Sequence, residues 1–102
     1  MTLKEAIYTQ HHKSSAFSLV RLRARAVGRK QGWAACAMCG YDKHFEICHI
    51  KSIADFSETA LLSEINNIGN LIPLCPNHHW ELDHGLIHPH WEFNGQLKLI
   101  IK

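Results

Sequence analysis

The sequence predicts a small α+β fold built as one domain. Three observations predict it: a basic helical stretch near the N-terminus, two metal-knuckle spacings separated by strand-like segments, and a hairpin signal at the C-terminal end. A chain of 102 residues is the size of one domain. A domain of this size buries a modest share of its surface, and metals, disulfides or oligomerisation often supplement such cores. Hydrophobic residues make up 46% and charged residues 20%, the balance of an ordinary globular chain. No apolar stretch reaches membrane-spanning length and no signal-peptide pattern stands at the N-terminus, so a cytoplasmic (intracellular) protein with no membrane partner is expected. In that compartment four cysteines read as metal ligands or free thiols before they read as disulfides.

Taken in order, residues 2–10 read as a short helix. Ser14 and Ser15 suit the N-cap of a longer helix ending near Lys30. Phe17, Val20, Ala24 and Val27 recur at helical spacing as its apolar stripe, while Arg21, Arg25 and Arg29 line another face. Gly28 and Gly32 weaken or end it. Phe45–Ile50 alternates enough for a strand, and residues 51–69 read as a loop holding a short helix around Glu58–Ile65. Asn66, Asn67, Gly69 and Asn70 form a turn cluster before an extended Leu71–Leu74. Pro76 suits the first position of a helix carrying His78 to about Asp83, with Gly85 as a stop. Around Asn94-Gly95, residues 91–99 alternate as a hairpin does. The expected organisation is a basic helical extension (1–32), a core (33–87) and a terminal hairpin (88–102).

Charge divides unevenly. Residues 1–30 hold seven basic side chains against Glu5 alone, a net +6, whereas residues 31–102 hold four lysines against eight acids, a net −4. Such asymmetry points to a polyanion, with nucleic acid first; the plain alternative is a solvated helix face.

Cys36-x-x-Cys39 lets two thiolates face one ion, and Cys75-x-x-His78 repeats the spacing. Three thiolates and an imidazole suit a closed tetrahedral Zn²⁺ site that would close the 35 intervening residues into a loop. Cys48 is an alternative fourth ligand. A redox Cys-x-x-Cys would require a βαβ context that the chain lacks.

Cys36-x-x-Cys39-Gly40, then Phe45-Glu46-Ile47-Cys48-His49-Ile50, then Asn70-Leu71-Ile72-Pro73-Leu74-Cys75-Pro76-Asn77-His78-His79 resemble the zinc-braced members of the HNH endonuclease family, over about residues 33–87. The resemblance implies a ββα-metal core: two antiparallel strands and a helix around a divalent ion. It implies that His49 is the general base on a water, that His79 binds the catalytic metal, and that Asn70 holds the geometry of the site by orienting His49 or its loop. Family members often carry Asp or His just before the first motif histidine; here that position is Cys48. A thiolate is a poor partner for Mg²⁺. Three accounts follow. Cys48 is a small buried residue; or a carboxylate such as Asp83 or Glu46 takes its place; or the site prefers a softer ion than Mg²⁺, such as Mn²⁺, Ni²⁺ or Zn²⁺. His79, Cys48 and Asp83 are thus the candidate ligands of a catalytic Mg²⁺ or Mn²⁺.

The expected function is metal-dependent hydrolysis of DNA phosphodiester bonds, with Arg21, Arg25, Arg29 and Lys51 holding phosphates. The alternatives are a catalytically silent zinc-braced DNA-binding module and a zinc protein that binds a protein partner. Trp33, Trp80 and Trp91 read as core rather than as base-stacking platforms, and so short a chain admits a homodimer on a long DNA site.

Overall fold

A capping box starts the first helix, α1 (Leu3–Gln10): the Thr2 hydroxyl accepts from the Glu5 N–H at 3.1 Å, and the Glu5 carboxylate accepts from the Thr2 N–H at 3.1 Å. The computed structural model describes residues 1–91 and the backbone of residues 97–101. His11 takes a left-handed conformation (φ 63°) and turns the chain into α2 (Lys13–Gln31). Helix α2 therefore begins two to three residues earlier than the serines imply. His12 is its N-cap without a side-chain bond, and Ser14 and Ser15 lie inside the first turn. Gly32 ends it in a left-handed cap (φ 75°) whose N–H reaches Arg29.

The remaining elements are β1 (Glu46–His49), α3 (Leu62–Ile65), β2 (Leu71–Leu74), α4 (Pro76–Asp83), β3 (Ile87–Trp91) and β4 (Leu97–Ile101). Strands β1 and β2 pair antiparallel, with Glu46 opposite Leu74 and His49 opposite Leu71. Helix α4 follows β2 directly, Pro76 occupying its first turn. These three elements form the expected ββα unit. The second sheet pairs β3 with β4, Ile87 opposite Ile101 and Trp91 opposite Leu97. The hairpin's first strand thus begins before Trp91, while the Asn94-Gly95 turn lies outside the described residues. Among the described residues no helix is long and apolar enough to cross a membrane.

Two differences from the sequence reading have tertiary causes. Only Leu62–Ile65 of the expected 58–65 helix is α-helical, with a separate single turn at Ile53–Asp55. The carbonyls of Glu58 and Ala60 accept instead from Lys4 and Leu3 N–H groups at 2.8 and 2.9 Å, so this stretch is tied to the chain's beginning. In α2 the fully buried line is Ala16, Val20, Ala24 and Gly28, with Phe17 and Val27 half-buried at its edges. Gly28 does not interrupt the helix. It lets α2 approach β1, since a Cβ there would stand 2.7 Å from Ile47 Cδ1.

The first core joins Leu3, Ala6, Ala16, Val20, Ile53, Leu62 and Ile65, so residues 1–32 pack on the segment between β1 and β2. The second joins Cys36, Cys48, Ile72, Leu74 and Cys75. Trp33 and Trp91 stack with ring centroids 5.9 Å apart, and Trp91 donates to the Leu71 carbonyl at 2.7 Å. Trp80 departs from its expected core role: it is 56% exposed and stacks on His84.

Gly28→Val should cost about 1–3 kcal/mol by overpacking Ile47, read from chemical denaturation. In an Ile47→Ala background the cost should shrink; equal costs in both backgrounds would refute the close-approach account.

Candidate functional site: a Cys3His cluster beside a histidine-lined cleft

The knuckle at 36–40 is a backbone construction. Gly40 N–H donates to the Cys36 carbonyl at 2.8 Å, Cys36 N–H to Tyr41 at 2.9 Å, and Gly40 adopts φ 78°. Ala37 N–H then bonds the Pro73 carbonyl at 2.9 Å, docking the knuckle on β2. Cys75 caps α4 and His78 lies one turn on, which brings Cys36, Cys39, Cys75 and His78 together. Their ligand atoms all lie within 4.8 Å of one another. Cys75 Sγ is 3.2 Å and Cys36 Sγ 3.5 Å from His78 Nδ1, and Cys39 Sγ is 3.9 Å from Cys75 Sγ. Zn–S bonds of about 2.3 Å and Zn–N bonds of about 2.0 Å place the corners of a tetrahedron about 3.5–3.8 Å apart, and these separations come within 0.3 Å of that range. The cluster can therefore hold zinc. The other nitrogen of His78 lies 4.0 Å from the Glu81 carboxylate, beyond hydrogen-bond distance.

Electrostatics fit a cation. Burial pushes the Cys36 thiol up, but N–H groups of Cys75, Cys39 and Met38 outweigh it and hold the thiol near 6. The neighbouring Cys39 accepts from Tyr41, which lowers it, yet desolvation and the other two thiols leave it raised. One thiolate in the cluster thus opposes the next, and a divalent ion removes that opposition.

Cys48 stands outside the cluster. It is buried, donates to the Glu46 carbonyl at 3.6 Å, and is pushed up to about 12 by desolvation and then by Glu46 and Asp83. Of the three accounts of this position, a small buried neutral residue describes its surroundings, and the fourth cluster position belongs to His78.

The two remaining motif histidines line a common cleft. His49 ends β1 half-buried, and its Nε2 lies 2.7 Å from Asn66 Oδ1. Desolvation lowers its proton affinity, the Asn66 bond partly offsets this, and Arg21 lowers it further. The Asn70 side chain makes no hydrogen bond to His49. Its Oδ1 accepts from Lys51 N–H at 2.7 Å and its Nδ2 donates to the Lys51 and Ile65 carbonyls at 3.1 and 2.9 Å. This ties Asn70 to the chain just after His49. The His49 partner, Asn66, escaped the sequence reading, where it was only one member of an Asn-rich turn; no local pattern marks it.

Successive residues of α4 point about 100° apart, so His78 serves the cluster while His79 faces the cleft. His79 Nδ1 is 2.9 Å from Glu46 and its Nε2 3.3 Å from Asp83. Both carboxylates weighed as substitutes for Cys48 thus meet the same imidazole. A cleft of about 610 Å³ is lined by Arg21, Arg25, Arg29, Glu46, His49 and His79 among others. An adjoining one of about 390 Å³ shares Arg21, His49 and His79 and adds Asp83. Lys51 lines neither; its ammonium sits 4.4 Å over the Phe56 ring.

Cys75→Ala should reduce bound zinc from one ion per chain toward none and abolish the cooperative thermal transition, because binding and folding are coupled in such sites. Cys48→Ala should keep full zinc. Native mass spectrometry with circular dichroism reads both; loss of zinc from the Cys48 variant would contradict the ligand assignment.

Neither the curated proteins nor the solved structures contain a match to this chain. A family model described as HNH endonuclease matches residues 36–88, more than half of the chain, from the first knuckle cysteine into β3. With the ββα unit and the Cys3His cluster in register with that match, the chain belongs to the HNH endonuclease family.

Proposed function

We propose that this protein is a metal-dependent endonuclease that hydrolyses DNA phosphodiester bonds in the cleft between α2 and the ββα unit. The observation that carries this reading is the meeting of His49, His79 and the Arg21, Arg25 and Arg29 face on one cleft. Phosphodiester hydrolysis needs a base for water, positive charge for the phosphate, and stabilisation of the leaving oxygen.

His49 is the proposed base. Lowered proton affinity keeps its ring neutral near pH 7, so a nitrogen is free to take a proton from water. His79 offers one nitrogen donor, with the Asp83 carboxylate beside Nε2 or the Glu46 carboxylate beside Nδ1 offering oxygen on the same side of the ring. That donor set fits Mg²⁺ or Mn²⁺, and Cys48 need not participate. Bound there, such an ion supplies Lewis-acid stabilisation of charge on the phosphate and the departing oxygen. Asn70 is the proposed brace that keeps the backbone beyond His49 in place.

The arginines supply the substrate's counter-charge. Arg21 and Arg29 are eight residues apart on one helix, about 12 Å along its axis. That spans about three phosphate steps of one DNA strand, each about 3.4 Å along the duplex. Binding without cleavage is the second reading, favoured by Cys48 alone.

Purified zinc-loaded protein should nick plasmid DNA with Mg²⁺ or Mn²⁺, and His49→Ala should lower the rate by about 10²–10⁴ with zinc retained. DNA binding without nicking in either metal would exclude the enzymatic reading. Each arginine of the face that contacts a phosphate should, when replaced by Gln, reduce the slope of log affinity against log salt by about 0.9.

The pH dependence has a defined sign. A base must be unprotonated, so activity rises with pH through the His49 value, which lies below the ordinary histidine value of about 6.5. Arg21 depresses that value, so Arg21→Gln should shift the acid limb to higher pH. Glu46, His79 and Asp83 also line the two clefts and are unchanged in that variant. A downward shift of the limb would exclude His49 as the titrating base.

A further inference from the structure

Asn66 caps the end of α3 and is buried at 7% exposure, the one buried polar residue among those described. Its side chain meets two groups of fixed chemistry. The Val20 carbonyl on α2 can only accept, so the Asn66 NH₂ must face it, and it does so at 3.0 Å. The amide oxygen is thereby left facing His49 Nε2 at 2.7 Å. An amide oxygen also can only accept. His49 must therefore donate from Nε2, and a neutral imidazole carries a single N–H proton. Nδ1 then holds the lone pair, and no described residue bonds it.

We propose that Asn66 is a positioning residue that locks His49 in the Nε2–H tautomer, so that Nδ1 is the atom that accepts the proton from water, with the lock set by the Val20 carbonyl of the arginine helix. The role in catalysis rests on the nuclease reading; the tautomer does not. In the step itself a water O–H bond breaks, its proton goes to Nδ1, the water oxygen bonds to phosphorus, and the P–O bond breaks with its electron pair on the leaving oxygen, which takes a proton from solvent water. The ring becomes an imidazolium with both nitrogens protonated. Nε2–H keeps its bond to Asn66, now charge-assisted and stronger. The amide thus favours the protonated product of the step as well as orienting the reactant.

The relay also gives α2 two tasks. Arg21 follows Val20 directly and lines both clefts, so the backbone segment that presents the phosphate-facing guanidinium also orients the amide behind the base. A leucine at position 66 would fill similar volume but accept nothing from His49. An aspartate would accept from Nε2 with a full charge, favour the imidazolium more strongly, and lose its donor to Val20.

The test is ¹⁵N NMR of the histidine rings in the zinc-loaded protein at pH 8, where the ring is neutral, with His49 signals assigned by their absence in His49→Gln. The wild-type chain should show one His49 tautomer, protonated at Nε2. Asn66→Leu should show a mixture of tautomers and a kcat lower by about ten- to a hundredfold with KM nearly unchanged. Asn66→Asp should keep the Nε2–H tautomer and move the acid limb of kcat to higher pH. An Nδ1-protonated His49 in the wild type overturns the proposal whether or not the variants fold. So does a folded Asn66→Leu protein with tautomer and kcat unchanged. Nε2–H His49 in a protein that cleaves no DNA refutes the nuclease reading and supports the lock.

Discussion

Three thiols and an imidazole whose ligand atoms lie within 4.8 Å of one another impose the strongest constraint on this chain. Neighbouring thiolates repel, and a divalent cation held there would convert that repulsion into a crosslink between the 36–39 knuckle and the start of α4. The consequences run through the ββα unit. Docking of the knuckle on Pro73 sets β2 beneath it, and all four β2 residues are buried. The Cys75 position sets where α4 begins, and the 100° step between its residues then divides the adjacent histidines between two sites. A shift of one residue in α4 would put Asn77 or Trp80 in place of one histidine and spoil that site.

The second wall of the cleft comes from outside the motif. Helices α1 and α2 share a core with the segment connecting β1 to β2, which carries Ile53, Leu62 and Ile65. Small residues along α2 permit its close approach, and Gly28 against Ile47 marks the tightest point. This contact sets the arginine face over the proposed base. Positive charge there disfavours a protonated His49 through Arg21, and in the proposed function it would also attract phosphate.

The site also shows how one strand position can be vacated. Glu46 and Cys48 are two residues apart on β1, so strand alternation gives them the same side. With a neutral, buried thiol at 48, the carboxylate at 46 reaches His79. Hard oxygen donors are thus kept beside His79 without the acidic residue that commonly precedes the first motif histidine.

Much of this was legible in the sequence, because the relevant signals are local. The two knuckle spacings, the extended Leu71–Leu74 and Pro76 at a helix start each depend on a few neighbouring residues, whose reach is set by backbone geometry, whereas His49, Asn70 and His79 were singled out by the family resemblance. The missed features are those whose partners are distant along the chain. Glu58 and Ala60 carry helical propensity, but their carbonyls are taken by the N-terminus. Gly28 reads locally as a helix breaker and is a contact point with a strand nearly twenty residues away. Asn66 reads as a turn residue, yet its meaning lies in Val20 and His49, 46 and 17 residues distant. Sequence by itself determined which residues could ligate a metal or carry a proton, since that is chemistry held in the side chains. Only the tertiary structure decided which atoms of those side chains face one another, because burial and hydrogen bonding across distant segments orient them.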